Sequence, residues 1–474
     1  MMHADAAQEQ IFNYLIESAK ATEFGRRHQF ERIRTYEDFK RNVPVREYEG
    51  ITEYIELILQ GRQNILWPGK PLYLAKTSGT TSGSKYIPIT KESIPNHINS
   101  TRDALMDYIA ETGKSQFLDH KLIFLSGSPV LDKKAGIHMG RLSGIVNHHV
   151  PAILRSNQMP SYETNCMEDW ETKVDQIVKE TIREDMSLIS GIPSWVQMYF
   201  EKLKQVSGGK TIQEIFPNFS LFIYGGVNYE PYRNKFERYI GGKVDSIELF
   251  PASEGFFAYQ NQQDDKGLLL MANSGIFFEF IPADEYFNDN PTRLNLSQVK
   301  TGVNYALVIS SNAGLWAYSI GDMVKFTSVK PYKLIVAGRI KHYTSAFGEH
   351  VIAEEVEAAL QVAISKCGGE VTEFHVAPMV NPTEGLPYHE WMVEFSSKPS
   401  NLDLFTQVLD ESLQDKNSYY KDLIQGHVLK PLIITPVSHE AFINFMKSEG
   451  KLGGQNKIPR LANDRKIADK LIQP

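Results

Sequence analysis

The sequence predicts an α/β fold, with a large N-terminal domain of mixed sheets plus helices and a small α+β C-terminal domain. Three observations predict it. Short apolar runs of strand length recur from Lys121 onward, separated first by helical stretches and then mainly by turns. After Ala337 the pattern resets, and a second set of helical and strand segments begins. The chain of 474 residues also exceeds the size, about 250 to 300 residues, at which one core stops growing. We therefore expect domains at 1–337 and 338–474.

In chain order, the first hundred residues read as helices joined by turns, with helical spacing at Tyr36 to Lys40 and Tyr54 to Leu59. Strand-like runs follow at Leu122 to Leu125, Leu221 to Tyr224 and Ile247 to Phe250, with helices at Ser194 to Lys204 and Pro231 to Ile240 between some of them. That alternation suggests an α/β layer. Further runs at Leu268 to Met271, Ile276 to Ile281, Ala306 to Ile309 and Leu334 to Val336 are linked by turns at Asn273 to Gly275, Asn312 to Gly314 and Lys330 to Pro331. This stretch should be a mainly antiparallel, sheet-rich lobe. The C-terminal part reads as a helix at Ala353 to Ser365, strands near Phe374 to Ala377 and Trp391 to Phe395, a helix at Leu402 to Leu413 and a strand at Leu432 to Thr435. Gly338 to Tyr343 contains neither proline nor low-complexity sequence, so the two domains should be tightly joined.

Composition narrows the function. Fifty Lys plus Arg against 57 Asp plus Glu give a net charge of -7, with no basic run of the kind that binds nucleic acid or lipid. A small molecule is the expected partner, with no nucleic acid and no membrane. Cys166 and Cys367 lie far apart and lack metal-ligand or redox spacing. The segment from Met1 to Glu23 is amphipathic, unlike a secretory signal, and no window is apolar enough to span a bilayer, so cytoplasmic residence is the expectation. His138, His148 and His149 lack carboxylate or cysteine partners at the short spacing of a metal site.

The segment Thr77-Ser78-Gly79-Thr80-Thr81-Ser82-Gly83-Ser84-Lys85 packs six hydroxyls and two glycines ahead of a lysine. Glycines let backbone N–H groups approach an anion, hydroxyls donate to phosphate oxygens, and lysine supplies a mobile positive charge for departing pyrophosphate. A plain solvated hairpin turn is the competing reading. A Walker loop is excluded, because three residues separate the glycines and Ser84 separates Gly83 from Lys85.

Four later segments follow in order: Tyr224-Gly225-Gly226-Val227, Phe250-Pro251-Ala252-Ser253-Glu254-Gly255, Tyr318-Ser319-Ile320-Gly321-Asp322 and the pair Gly338-Arg339. Together with Thr77 to Lys85 they resemble the motif series of the adenylate-forming acyl and aryl ligases. Among these the chain is most similar to the auxin-responsive Gretchen Hagen family of acyl-acid amido synthetases, through Tyr224 to Tyr232, Phe250 to Gly255, Ala346 to His350 and the tail Gly453 to Arg460. Phe250 stands where a tyrosine is usual in that family.

The resemblance implies an N-terminal adenylate-forming domain and two half-reactions. A carboxylic acid is adenylated by ATP with loss of pyrophosphate, and an amino acid's amine then takes the acyl group to form an amide. It further implies that Ser78 to Gly83 hold phosphates and that Gly225, Gly226 and Phe250 lie near adenine. Ser253 would touch the α-phosphate, Glu254 would hold Mg2+ and Asp322 would bind the ribose. Gly338-Arg339 would be a hinge beside the nucleotide about which the C-terminal domain rotates. Lys85 would assist pyrophosphate, and Lys457 would bridge the carboxylate and the α-phosphate. Val227, Pro251 and Ala252, flanking these motifs, should line the acyl pocket. A coenzyme A ligase or a nucleotide sensor without turnover remain alternatives; the acid, the acceptor and the oligomeric state stay open. Ala317 to Gly321 nearly matches a serine-hydrolase nucleophile elbow, but alanine replaces its first glycine and its surroundings look antiparallel.

Overall fold

The computed structural model describes residues 3–78, 84–150, 152–167, 169–226, 229–340, 351–380, 382–425, 428–452, 458–462 and 464–472. The chain divides into two compact units, Met1–Tyr229 with Arg233–Ile335, and Glu230–Tyr232 with Val336–Pro474.

Two sheets build the first unit. Strands β1 (Tyr73–Ser78), β2 (Ser84–Ile89), β4 (Asp132–Lys134) and β5 (Ile137–Gly140) form one, in the order β2-β1-β5-β4. In the other, β3 (Lys121–Phe124), β6 (Gln158–Met159), β7 (Met186–Ser190), β8 (Leu221–Gly225) and β9 (Asp245–Ala252) run parallel. The same sheet continues through β10 (Gly255–Gln260), β11 (Leu268–Leu270), β12 (Ile276–Pro282), β13 (Leu294–Asn295), β14 (Asn304–Ser311), β15 (Tyr318–Val329) and β16 (Tyr332–Arg339). The α/β layer and the antiparallel lobe expected from the sequence are therefore one sheet. Strand β9 makes the change, pairing parallel with β8 and antiparallel with β10.

This sheet is not flat. Five strand spacings separate β12 from β10 in the order β12-β14-β15-β16-β11-β10, about 24 Å in a flat sheet. Yet the Phe257 and Phe278 rings lie 6.3 Å apart. The antiparallel half must curl back on itself, which brings its far strands to the turn that follows β9.

The helix Ala4–Ala19 seals the first unit. Its buried stripe includes Phe12, Leu15 and Ile16, and Phe12 meets Phe277 at 5.0 Å. Gln8 donates to Ala272 O and Ile276 O, both at 2.8 Å, and accepts from Phe278 N at 2.8 Å. The next predicted helix forms over Tyr36–Asn42 because Thr35 and Asp38 make a reciprocal capping box. Behind it Glu279, fully buried, accepts from Arg293 Nε at 2.9 Å and Nη2 at 2.7 Å and from the Tyr36 hydroxyl at 2.9 Å. Arg293→Met should destabilise this unit by about 3 to 5 kcal/mol in urea unfolding, because it leaves a buried carboxylate without its cation.

In the second unit, β17 (Glu370–Met379), β18 (Tyr388–Ser397) and β19 (Ile433–Pro436) form a sheet against the helices Ala353–Cys367 and Leu402–Lys416. Phe374 and Trp391 stack at 5.5 Å in its core. Residues 458–462 lie along the free edge of β17: Val376 N donates to Arg460 O at 2.9 Å and Ala462 N to Val376 O at 3.0 Å. The Arg460 guanidinium reaches Glu357 and Glu373 and stacks over Phe374.

His375 Nδ1 meets Pro459 O at 2.7 Å, and burial lowers its pKa from 6.5 to about 4. A histidine held neutral by folding contributes stability above pH 6.5 that is lost as pH falls toward 4. His97, buried in the first unit, contributes with the same sign. His375→Asn keeps a donor for Pro459 O and should flatten, without abolishing, the decline in melting temperature between pH 6.5 and 4.

Most predicted elements are present within a few residues. The sequence reading passed over several strands, among them β7, β10 and the long β15, and read the first hundred residues as helices and turns where β1 and β2 form a hairpin. Strand β7 carries Ser187, fully buried and satisfied by Phe117 O at 2.7 Å, so its serines hide a core strand. No described helix is long and apolar enough to cross a membrane.

Candidate active site

The Thr/Ser/Gly segment joins two paired strands. Thr77 lies opposite Lys85 and Ser78 opposite Ser84, so Ser78 and Lys85 flank the tip of the β1–β2 hairpin. Gly79, Thr80, Thr81, Ser82 and Gly83 lie outside the described residues. The Lys85 ammonium sits 5.3 Å from the centre of the Tyr48 ring. The Tyr48 hydroxyl accepts the Tyr86 N–H at 2.9 Å.

The second part of the site is at the carboxyl ends of β8 and β9, the usual place for ligands in parallel sheets. Gly225 pairs with Leu249, and a Cβ on it would lie 2.6 Å from Leu249 O and 3.3 Å from Pro251 Cδ. Gly226 follows at φ +80, a conformation that favours glycine. Gly225→Ala should therefore push β8 and β9 apart. The melting temperature should fall, because the close pairing at the carboxyl ends of these two strands is lost.

Beyond Leu249, β9 carries Phe250, Pro251 and Ala252, and Ser253-Glu254 turns it into β10. The Phe250 ring is buried against Phe257 at 5.1 Å, whereas Pro251 is exposed and Ala252 partly so. Ser253 is buried and Glu254 half-buried. Asn96 clamps the outgoing strand, accepting from Phe256 N at 2.7 Å and donating to Phe256 O at 3.0 Å.

Tyr318 connects these parts. Its pKa is raised far above the usual tyrosine value, first by burial and then by the Glu254 carboxylate, with Tyr48, Glu49 and Glu47 adding to it. The phenol therefore stays protonated beside Glu254. Three strand spacings lie between β15 and β10 in the sheet order, so the curl of the sheet is what lets the Glu254 carboxylate act on Tyr318. Farther along β15, Ile320, Gly321 and Asp322 face only Leu307, since Ser319 pairs with Val308 and Met323 with Ala306. Gly321 takes φ +82 in this bulge, which re-aims Asp322 away from a regular strand direction.

Lys85 and Glu254 thus gather around Tyr48 and Tyr318, Gly225 lies against Pro251, and Asp322 shares a strand with Tyr318. Arg339 ends β16 in the second unit, after Gly338 at φ +129. Val227, Lys457 and Ala346 to His350 lie outside the described residues.

Several contributors were not foreseen. Arg46 N donates to Ala317 O at 3.0 Å and Ser319 N to Arg46 O at 2.8 Å, which docks the segment around Tyr48 on β15. Tyr286 lies 2.7 Å from Ser319 Oγ and 3.2 Å from Glu47, and its pKa is pushed up to about 12, chiefly by burial. Nothing local in the sequence around Arg46 marks it, because its partners are some 270 positions away. The hydrolase alternative weakens further: Ser319 is 4% exposed, bonded to Tyr286 and set in an antiparallel strand pair.

Among the described residues no group of three His, Cys, Asp or Glu could enclose a metal. Glu254 alone still fits Mg2+, a hard cation that takes one or two carboxylates and completes its shell with phosphate and water oxygens. His148 and His149 are engaged elsewhere, with Pro129 O at 2.8 Å and the Tyr73 hydroxyl at 3.0 Å.

Comparison with known proteins gives this geometry a family. The GH3 family N-terminal domain matches residues 1–146 and 114–244, the central domain 269–339 and the C-terminal domain 354–466. The chain belongs to the GH3 family. Among GH3 relatives, indole-3-acetic acid-amido synthetase GH3.3 of Arabidopsis thaliana is 21% identical, covering 99% of this chain and 91% of its own. Jasmonoyl–L-amino acid synthetase JAR4 of Nicotiana attenuata is 24% identical over 68% of this chain, a match spanning 66% of its own length. Of solved structures, GH3.15 acyl acid amido synthetase shares the GH3 fold with a TM-score of 0.80 at 18% identity, covering 99% of this chain and 93% of its own. A 2-hydroxyisobutyryl-CoA ligase is similar to this chain in fold, with a TM-score of 0.61 at 14% identity, covering 98% of this chain and 90% of its own. The GH3 assignment agrees with the family resemblance carried by the motifs.

Proposed function

We propose that this GH3 protein activates a small carboxylic acid with ATP as an acyl adenylate and passes the acyl group to the amine of an amino acid, forming an amide. The observation that carries the reading is the convergence of Lys85 and Glu254 on Tyr48 and Tyr318, on a chain matched by all three GH3 domains. The relatives' names support it, since they are amido synthetases acting on jasmonate and indole-3-acetic acid.

In the first half-reaction a carboxylate oxygen attacks the α-phosphorus, and the bond to the bridging oxygen breaks to release pyrophosphate. Backbone N–H groups and hydroxyls from Ser78 to Gly83 hold the phosphates, and Lys85 offsets charge on the departing pyrophosphate. Gly225, Gly226 and Phe250 form the wall beside adenine, Ser253 meets the α-phosphate and Asp322 accepts from the ribose hydroxyls. Glu254 supplies the ligand for Mg2+, whose charge neutralises phosphate oxygens when bound. Tyr318, held protonated, donates in the same place. Lys457 balances charge between the acid and the α-phosphate, and Arg339 acts beside the nucleotide at the hinge. Val227, Pro251 and Ala252 flank the acyl group. In the second half-reaction the amine nitrogen attacks the acyl carbonyl, AMP leaves, and the ammonium loses a proton.

Carboxylate-dependent exchange of labelled pyrophosphate into ATP across a panel of acids tests this, followed by product identification with amino acids or coenzyme A. An acyl amino acid supports the proposal, and a thioester would replace it with coenzyme A ligation. Tight ATP binding without exchange for any acid would favour a sensor.

A further inference from the structure

We infer that Tyr48 is the positioning residue for the pyrophosphate lysine, fixing the phosphate hairpin and holding Lys85 ready at its base. The inference rests on the role proposed for Lys85 and adds how the fold prepares it.

Strand β2 is an edge strand: its sheet runs β2-β1-β5-β4, so β1 covers only one side of it. On the other side, where no strand among the described residues pairs with it, Tyr86 N–H donates to the Tyr48 hydroxyl at 2.9 Å. An uncapped N–H at this half-buried position would cost stability or invite slippage of the strand. One residue earlier, the Lys85 ammonium lies 5.3 Å from the centre of the same ring. A lysine has four flexible carbons, and a ring face that attracts its cation restricts them before any nucleotide binds. One side chain thus acts on two adjacent residues of β2, through its oxygen and through its face.

Tyr48 is itself firmly held. It is 7% exposed and opens a short 3-10 turn, Tyr48–Ile51, and Thr52 Oγ1 donates to its carbonyl at 3.0 Å. Two residues before it, Arg46 exchanges backbone hydrogen bonds with Ala317 and Ser319, and Glu47 accepts from Tyr286. The segment 46–48 is therefore a strut between β15, which carries Tyr318 and Asp322, and β2, which carries Lys85. It links two strands that belong to different sheets.

A mutant cycle on pyrophosphate exchange tests the inference, with Tyr48→Phe, Tyr48→Leu, Lys85→Ala and Tyr48→Leu combined with Lys85→Ala. Tyr48→Phe keeps the ring and loses the acceptor, so exchange should slow a few-fold. Tyr48→Leu loses both and should slow it about tenfold to a hundredfold, the scale of a 1 Å misplacement. The loss should lie in the maximal rate and leave the KM for ATP nearly unchanged, since the lysine acts on charge that develops as pyrophosphate leaves. The double variant should be no more than about twofold slower than Lys85→Ala alone, because the tyrosine acts through the lysine. Multiplying losses in the double variant would overturn the inference while leaving the role of Lys85 intact. Normal exchange in Lys85→Ala would overturn both. Should Tyr48→Leu fail to fold, Tyr48→Phe measured with and without Lys85→Ala makes the comparison for the hydroxyl alone, and equal exchange in Tyr48→Phe and wild type would overturn the part of the inference that rests on the capped Tyr86 N–H.

Discussion

Lys85→Ala is expected to reduce carboxylate-dependent pyrophosphate exchange by about a hundredfold to a thousandfold, the usual loss when a preorganised group facing transition-state charge is removed. Stability should barely move. The lysine is half-buried at the mouth of a hairpin, and its contact over the Tyr48 ring at 5.3 Å is of a kind contributing about 0.5 to 1 kcal/mol near a surface. A loss of activity far larger than the shift in melting temperature would mark a chemical role. A matching decline in both would point to a merely structural one. Lys85→Arg should recover only part of the rate, because a planar guanidinium spreads charge that an ammonium concentrates.

Glu254→Gln should have an effect of similar size with a different signature. The amide keeps the shape of the Ser253-Glu254 turn, which Asn96 stabilises from the other side at Phe256. It removes the negative charge on which the proposed ligation of a hard cation depends. We expect exchange to fall by about a hundredfold or more and to rise again only as magnesium is raised well above the wild-type requirement. Exchange that is slow but unchanged in its magnesium dependence would place the metal elsewhere. Because the Glu254 carboxylate helps to keep the Tyr318 phenol protonated, the substitution should also lower the pH at which that phenol ionises.

How much of this could be read from the chain follows from how local each feature is. The glycine motifs were legible because the backbone demands them: Gly225 by its approach to Leu249 O, Gly226, Gly321 and Gly338 by positive φ. The apolar runs gave most strands, since each buries a continuous set of side chains. Strand β10 was missed because its opening Gly255 read as the end of a motif. The joining of the parallel and antiparallel regions was hidden, because it depends on β9 pairing differently on its two edges. Tyr48 was illegible for a related reason. Its value comes from Lys85 on one side and Tyr318 on the other, and no spacing rule links positions 48 and 318.

The contacts of Gln8 set a timetable for synthesis of the chain. Its acceptors, Ala272 O and Ile276 O, lie 264 and 268 positions later. At bacterial to eukaryotic translation speeds the ribosome needs on the order of 15 to 50 s to reach them. Throughout that interval the oily stripe of Phe12, Leu15 and Ile16 has been made but its berth has not. This helix is therefore made long before it can dock, and a nascent chain stalled before residue 272 should be a preferred client of chaperones.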